Sequence, residues 1–188
     1  FHIFALHKGK ASRWLFLHHW CKTPRKPQYN RYNDVFHRAG LRSADTDWAG
    51  YNKVVPCDDV RIGIAPFAQH QGKIWPLERT ETLVRMLSER GYEVVLFGSK
   101  SEAPVLEKWA RHYSGVTSLA GRLPFAEELE IIKSLAVMVS MDSANMHFAS
   151  AVGTPVVSIW GATHPDFGFY GYGQNPANAL CANLKCQP

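Results

Sequence analysis

The sequence predicts an α/β fold built on a doubly wound parallel sheet. From Arg61 onward, short apolar runs alternate strictly with longer amphipathic ones. The short runs are almost continuously hydrophobic, as strands covered on both faces must be. Composition agrees: 188 residues, 46% hydrophobic and 20% charged, suffice for one full domain and part of another and exclude a disordered chain.

The elements follow in order. "SRWLFLHHW" is short and apolar enough for either a strand or a helix, and "YNDVFHRAG" reads as a helix ended by Gly40. "LRSADTDWAGYNKVVPCDDV" has no period and reads as a linker. "VRIGIAPF" is the first strand of the alternating region. "PLERTETLVRMLSERG" is a helix with Pro76 in its first turn, Leu77, Leu83, Val84 and Leu87 on one face, and Gly91 as its stop. "YEVVLFG" is a second strand, and "EAPVLEKWARHY" a helix with Val105, Leu106, Trp109 and Ala110 inward. "VTSLAG" is a third, weaker strand, followed by the helix "FAEELEIIKSLA" with Phe125, Leu129, Ile132 and Leu135 on a stripe. "VMVSM", "SANMHFASAVG" and "PVVSIWG" complete the pattern as strand, short helix and strand. The expected boundaries are therefore 1–60 for the end of another domain and a linker, 61–175 for the α/β domain, and 176–188 for a tail. The chain starts at Phe1 and stops at "LCANLKCQP", and it is expected to be a portion of a longer protein.

Charge and cysteine content narrow the function. The formal charge is +5, concentrated in "HKGKASRW" and "CKTPRKPQYNRYN", which suggests an anionic partner as well as an ordinary solvated surface. Outside residues 8–32 there is no basic stripe interleaved with aromatics, so nucleic acid is not expected. Cys21, Cys57, Cys181 and Cys186 show neither a disulfide framework nor a zinc knuckle; reduced thiols in a cytoplasmic protein and no metal site are expected. No apolar run approaches the roughly 20 residues of a membrane span. "KGKASRWLFLHHWCKTPRK" places cations beside Trp14, Leu15, Phe16 and Trp20, which suits peripheral contact with an anionic membrane or packing inside a neighbouring domain.

In an open parallel sheet, ligands bind beyond the carboxyl ends of the strands. Here those ends carry "APFAQHQGK", "GSKSE", "AGRLP", "DSANMH" and "GATHPDFGFYGYG", where the polar residues and glycines collect. Asp142 ends a strand and Ser143, Ala144 and Asn145 open a helix, whose unpaired first-turn amides and positive dipole end suit an anion. His147 lies four residues from Ser143, on the same helical face. A plain helix cap with a surface or core histidine satisfies the same pattern. Lys73 lies just before a helix and can meet a phosphate as a point charge, although a lone loop lysine is usually only solvated. Glu102 can accept from ribose hydroxyls or cap its own helix. Thr163 and His164 sit on the same rim. There is no "GxGxxG" after a strand, no P-loop and no "GxSxG" elbow.

"KIWP", "LFGSKSE", "LAGRLPFAEELEIIKSLAVMVSMDSANMHFASAVGTPVVSIWGATHP" and "GYGQ" resemble the C-terminal domain of glycosyltransferase family 9, the heptosyltransferases of lipopolysaccharide synthesis. The likeness spans roughly Arg61 to Gln174. The "D-S/T-G/A-x-x-H" block followed by an apolar strand and "G-x-T-x-P" is its specific combination. The resemblance implies a GT-B fold of two Rossmann-like domains, one of them largely missing here, with residues 1–60 as the end of the acceptor domain and the linker. It implies transfer of heptose from ADP-heptose to a lipid-linked core oligosaccharide, with inversion and no metal or other cofactor. A non-catalytic nucleotide-binding module, or a GT-B enzyme using another nucleotide sugar, are the alternatives. Lys73 and the amides near Ser143 and Ala144 would hold the diphosphate, Glu102 the ribose, and Leu123 would lie by the adenine. Asp142 and His147 would face the sugar or phosphates, with Lys73 and Asp142 as the catalytic pair. The family's general base is an aspartate near the start of the N-terminal domain, so this fragment alone is expected to be inactive. A cytoplasmic location, peripheral at the inner membrane, is implied as well. Two positions depart from the family pattern: Ala144 stands where glycine is usual, and Ala162 where proline is usual.

Overall fold

The computed structural model of the chain describes residues 3–6, 9–18, 20, 24–41 and 60–182. Residues 42–59 of the expected linker, with Cys57 among them, and Cys21 and Cys186 lie outside the described residues. Helices α1 (Lys10–Leu17) and α2 (Gln28–Arg38) precede the alternating region. Strands β1 (Arg61–Ala65), β2 (Glu93–Leu96), β3 (Val116–Ser118), β4 (Val137–Met141), β5 (Val156–Trp160) and β6 (Ala179–Cys181) form one sheet. Helices α3 (Leu77–Glu89), α4 (Ala103–His112), α5 (Phe125–Ser134) and α6 (Ala144–Ala151) connect the first five strands. The strand order is β3-β2-β1-β4-β5-β6, and every pairing is parallel. This is the doubly wound order, with its reversal between β1 and β4.

The two faces are covered as the apolar strands required. Along β2, Val94 and Leu96 point into one core with Val84 of α3 and Leu106 and Trp109 of α4. Val95, and Phe97 just past the strand, point into the other, with Ile132 of α5 and Met146 and Ala149 of α6. Alternate side chains of one strand thus feed both layers, and neither face is left to solvent. Pro76 caps α3 and Pro104 lies in the first turn of α4, where a missing N–H costs nothing.

One open reading is resolved and two expectations are corrected. The segment left open between strand and helix is helical as α1, and α2 starts earlier than Tyr32 because Pro27 occupies its cap. The sheet also runs past residue 175. β6 pairs with β5 through Ser158–Ala179 and Trp160–Cys181, so part of the expected tail at 176–188 belongs to the domain. "ALC" is too short to show a period, and that hid the strand.

The N-terminal helices dock on the loop after β5. Arg25 N donates to Asp166 O (2.8 Å) and Gln28 N to Gly168 O (2.7 Å). Phe16 packs edge-on against Phe167 at 5.0 Å between ring centres. Gly168 has φ 81°, and a Cβ there would lie 2.6 Å from Lys26 O, so only glycine permits the contact. Gln174, from the "GYGQ" stretch, is buried. It accepts from Val156 N (2.8 Å) and donates to Thr154 O (2.9 Å), pinning the same loop to the start of β5.

Candidate functional site

A cleft of about 530 Å³ opens at the carboxyl ends of the central strands. Its walls come from the segment after β1 (Phe67, His70, Lys73), the turn after β2 (Ser99, Glu102), the end of β4 with the first turns of α6 (Asp142, Ser143, Ala144, Asn145, His147), and Phe169 after β5. The cleft spans the β1–β4 reversal, where open parallel sheets bind ligands. Its size is that of small-molecule sites generally. A larger hollow of about 710 Å³ lies between α1 and α2, lined by Arg25, Arg31 and Arg38 among others, away from the strand ends.

The deepest polar group is Asp142, 6% exposed. Lys73 Nζ donates to its Oδ2 at 2.6 Å, and Thr163 Oγ1 donates to the same oxygen at 2.8 Å. These three residues follow β1, β4 and β5, so the sheet itself brings them together. A short 3-10 turn, Gln71–Lys73, carries the lysine. The loop after β5 lies directly on that turn: Ala162 N donates to Gly72 O at 2.8 Å. Proline, usual at 162 in the resembling family, could not make that bond. A Cβ on Gly161 would lie 2.3 Å from Gly72 O, so glycine is required for the approach.

Ser143 caps α6 by position only. Its hydroxyl makes no cap hydrogen bond and lies 3.1 Å from Ser140 Oγ. The first-turn amides of α6 thus have no side-chain cap, and the dipole's positive end adds to the Lys73 ammonium across the cleft. His147 stands on the open wall with protein packed behind it. That crowding pulls its pKa below the ordinary histidine value, against the raising effect of Asp142 and with the lowering effect of Lys73. Loss of water on that side thus favours the neutral imidazole.

Lys73, Glu102, Asp142, Ser143, Ala144 and His147 share this one cleft, as their positions after strands predicted; Leu123, half-buried before α5, is not among its lining residues. Glu102 bonds its own turn, its Oε2 accepting from Ser99 N at 2.6 Å, and it makes no side-chain cap to the first turn of α4. His164 turns aside to accept from Asp166 N and cap the 3-10 turn Pro165–Phe167. The sequence places Phe67, His70 and Phe169 in strand-end segments without singling them out, whereas Asn145 is marked there as part of the helix opening. It gave Thr163 a place on the rim but no partner. Among the described residues no cluster of three or more His, Cys, Asp or Glu side chains has metal-binding geometry, and no helix is long and apolar enough to cross a membrane.

The model of glycosyltransferase family 9 (heptosyltransferase) matches residues 12–188. The chain belongs to that family. This family 9 chain is 33% identical over 114 residues to lipooligosaccharide heptosyltransferase 2 of Haemophilus influenzae, covering 56% of this chain and 32% of that protein. It is 34% identical over 109 residues to lipopolysaccharide heptosyltransferase 3 of Escherichia coli, again covering 56% and 32%. It thus spans about a third of the length of these relatives. The E. coli heptosyltransferase WaaC solved with ADP superposes with a TM-score of 0.64 at 21% identity, over 85% of this chain and 50% of that one. At that identity the likeness speaks to the fold, and it agrees with one half of a GT-B pair.

Proposed function

We propose that residues 61–182 form the donor-binding half of a heptosyltransferase, and that the cleft takes the diphosphate and sugar of ADP-heptose. The observation that carries this reading is the Lys73 ammonium and the uncapped N-terminus of α6 facing one cleft at the sheet reversal. Both are complements of a diphosphate. The relatives are heptosyltransferases, which suggests the sugar, and WaaC was solved with ADP, which suggests the base.

The chemistry follows from the charges. An acceptor hydroxyl of a lipid-linked core oligosaccharide attacks the anomeric carbon from the face opposite ADP. The bond to the β-phosphate oxygen breaks with inversion, and negative charge grows on the departing diphosphate. Lys73 and the α6 dipole stabilise that charge without a metal, which is electrostatic work in a partly dry site. Asp142 is held rigid enough to orient a sugar hydroxyl. The proton of the incoming hydroxyl goes to a base of the acceptor domain, as the family resemblance implies. The protein works in the cytoplasm, peripherally at the inner membrane.

Competition among ADP, UDP and GDP for the chain, followed by calorimetry, tests the donor class. ADP is expected to bind tightest. Tighter binding of UDP or GDP would remove the ADP-sugar assignment.

A further inference from the structure

Lys73 cannot serve a phosphate without cost to Asp142. Its ammonium lies 2.6 Å from a carboxylate that is only 6% exposed. Pulling a cation away from a buried anion is expensive unless the anion keeps another donor. Thr163 is that donor: it bonds the same Oδ2 at 2.8 Å from a loop after a different strand. Its place does not depend on Lys73's side chain, because Ala162 N is fastened to Gly72 O and Gly161 admits nothing larger. Thr163 does not itself line the cleft.

We propose that Thr163 is a positioning residue: by holding Oδ2 of Asp142, it lets the Lys73 ammonium turn toward an incoming diphosphate while the carboxylate stays fixed. Lysine has three N–H donors and can bridge both anions during the exchange. Without the hydroxyl, Asp142 depends on Lys73 alone and competes harder with the phosphate for it. This inference rests on the donor-site reading above and adds a residue to it.

The test is a double-variant cycle on the whole chain with ADP as the probe, read by calorimetry, with thermal melts for folding. Thr163→Val is expected to weaken ADP binding about three- to tenfold, the effect of losing one hydrogen bond. Thr163→Ala, which removes the same hydroxyl with less bulk, should do the same, and Thr163→Ser should stay within about twofold of the parent. In an Asp142→Asn background, where no carboxylate competes for Lys73, Thr163→Val should change affinity by less than about twofold. Loop damage alone would weaken binding equally in both backgrounds, and that result overturns the proposal. So does parent-like binding by Thr163→Val and Thr163→Ala. If the parent itself shows no heat with ADP, the donor-site reading falls and this inference falls with it.

Discussion

At the scale of single residues, the site is a set of charges whose partners decide their use. Lys73 would have been a solvated cation had the loop faced water. The sheet instead sets it against Asp142, with its side chain 24% exposed. Lys73→Ala removes a charge-assisted contact worth about 1.5–3 kcal/mol, so ADP affinity is expected to fall about tenfold to a hundredfold. Lys100 supplies the comparison: it also follows a strand end, but it is exposed and outside the cleft lining. Lys100→Ala should leave ADP binding within about twofold. Calorimetry on the two variants checks both statements, and equal affinities would take the phosphate role away from Lys73. His147 gives a second, independent check. Its pKa is lowered in the folded chain, chiefly by crowding. Between that depressed value and the ordinary one, the unfolded chain binds more protons than the folded one, so stability rises with pH. As pH falls through and below the ordinary histidine range, this contribution is lost. Denaturant melts from pH 8 to 5 should show a steeper loss in the parent than in His147→Gln; parallel curves would mean that His147 titrates normally.

At the scale of elements, the strand ends line the cleft and the loop after β5 carries the order. Gln174 closes that loop on β5 through two buried hydrogen bonds. Gln174→Ala leaves an N–H and a C=O without partners at about 1–3 kcal/mol each, so a destabilisation of about 2–6 kcal/mol is expected in urea melts. A change under roughly 0.5 kcal/mol, typical of surface sites, would show that water replaces the amide. This clamp explains why the alternating pattern was legible and the loops were not. Strands β1, β2, β4 and β5 are apolar because both faces are covered, and helices α3 to α5 show a stripe because one face is. Such periods are local, so they can be read from the sequence. Asp142 and Ser143 stand out at the junction of β4 and α6, whereas Lys73 lies inside the loop between β1 and α3 and is marked only as a cation there. The Thr163–Asp142 and Lys73–Asp142 bonds join positions far apart in the chain, and nothing local announces them. β6 failed for want of length, and the bond from Ser99 N to Glu102 Oε2 lies within one turn that shows no period.

At the scale of the molecule, a doubly wound sheet concentrates charge at one rim while α1 and α2 add a separate basic and aromatic surface. Trp14 is 50% exposed and Trp20 75% exposed in that surface, next to Lys10 and Arg13. Peripheral membrane contact through it is expected to appear as flotation of the chain with anionic liposomes, lost in high salt, and not with neutral ones. Equal partition into both would remove the electrostatic part of that proposal. The central claim concerns the cleft: protein charges, without a metal, hold an adenine nucleotide diphosphate. The most direct measurement is a calorimetric titration of the chain with ADP in EDTA. The expected result is one site at low-to-middle micromolar affinity or weaker, about −5 to −8 kcal/mol, unchanged when Mg²⁺ replaces EDTA. Binding that is absent in EDTA and returns with Mg²⁺ would contradict it.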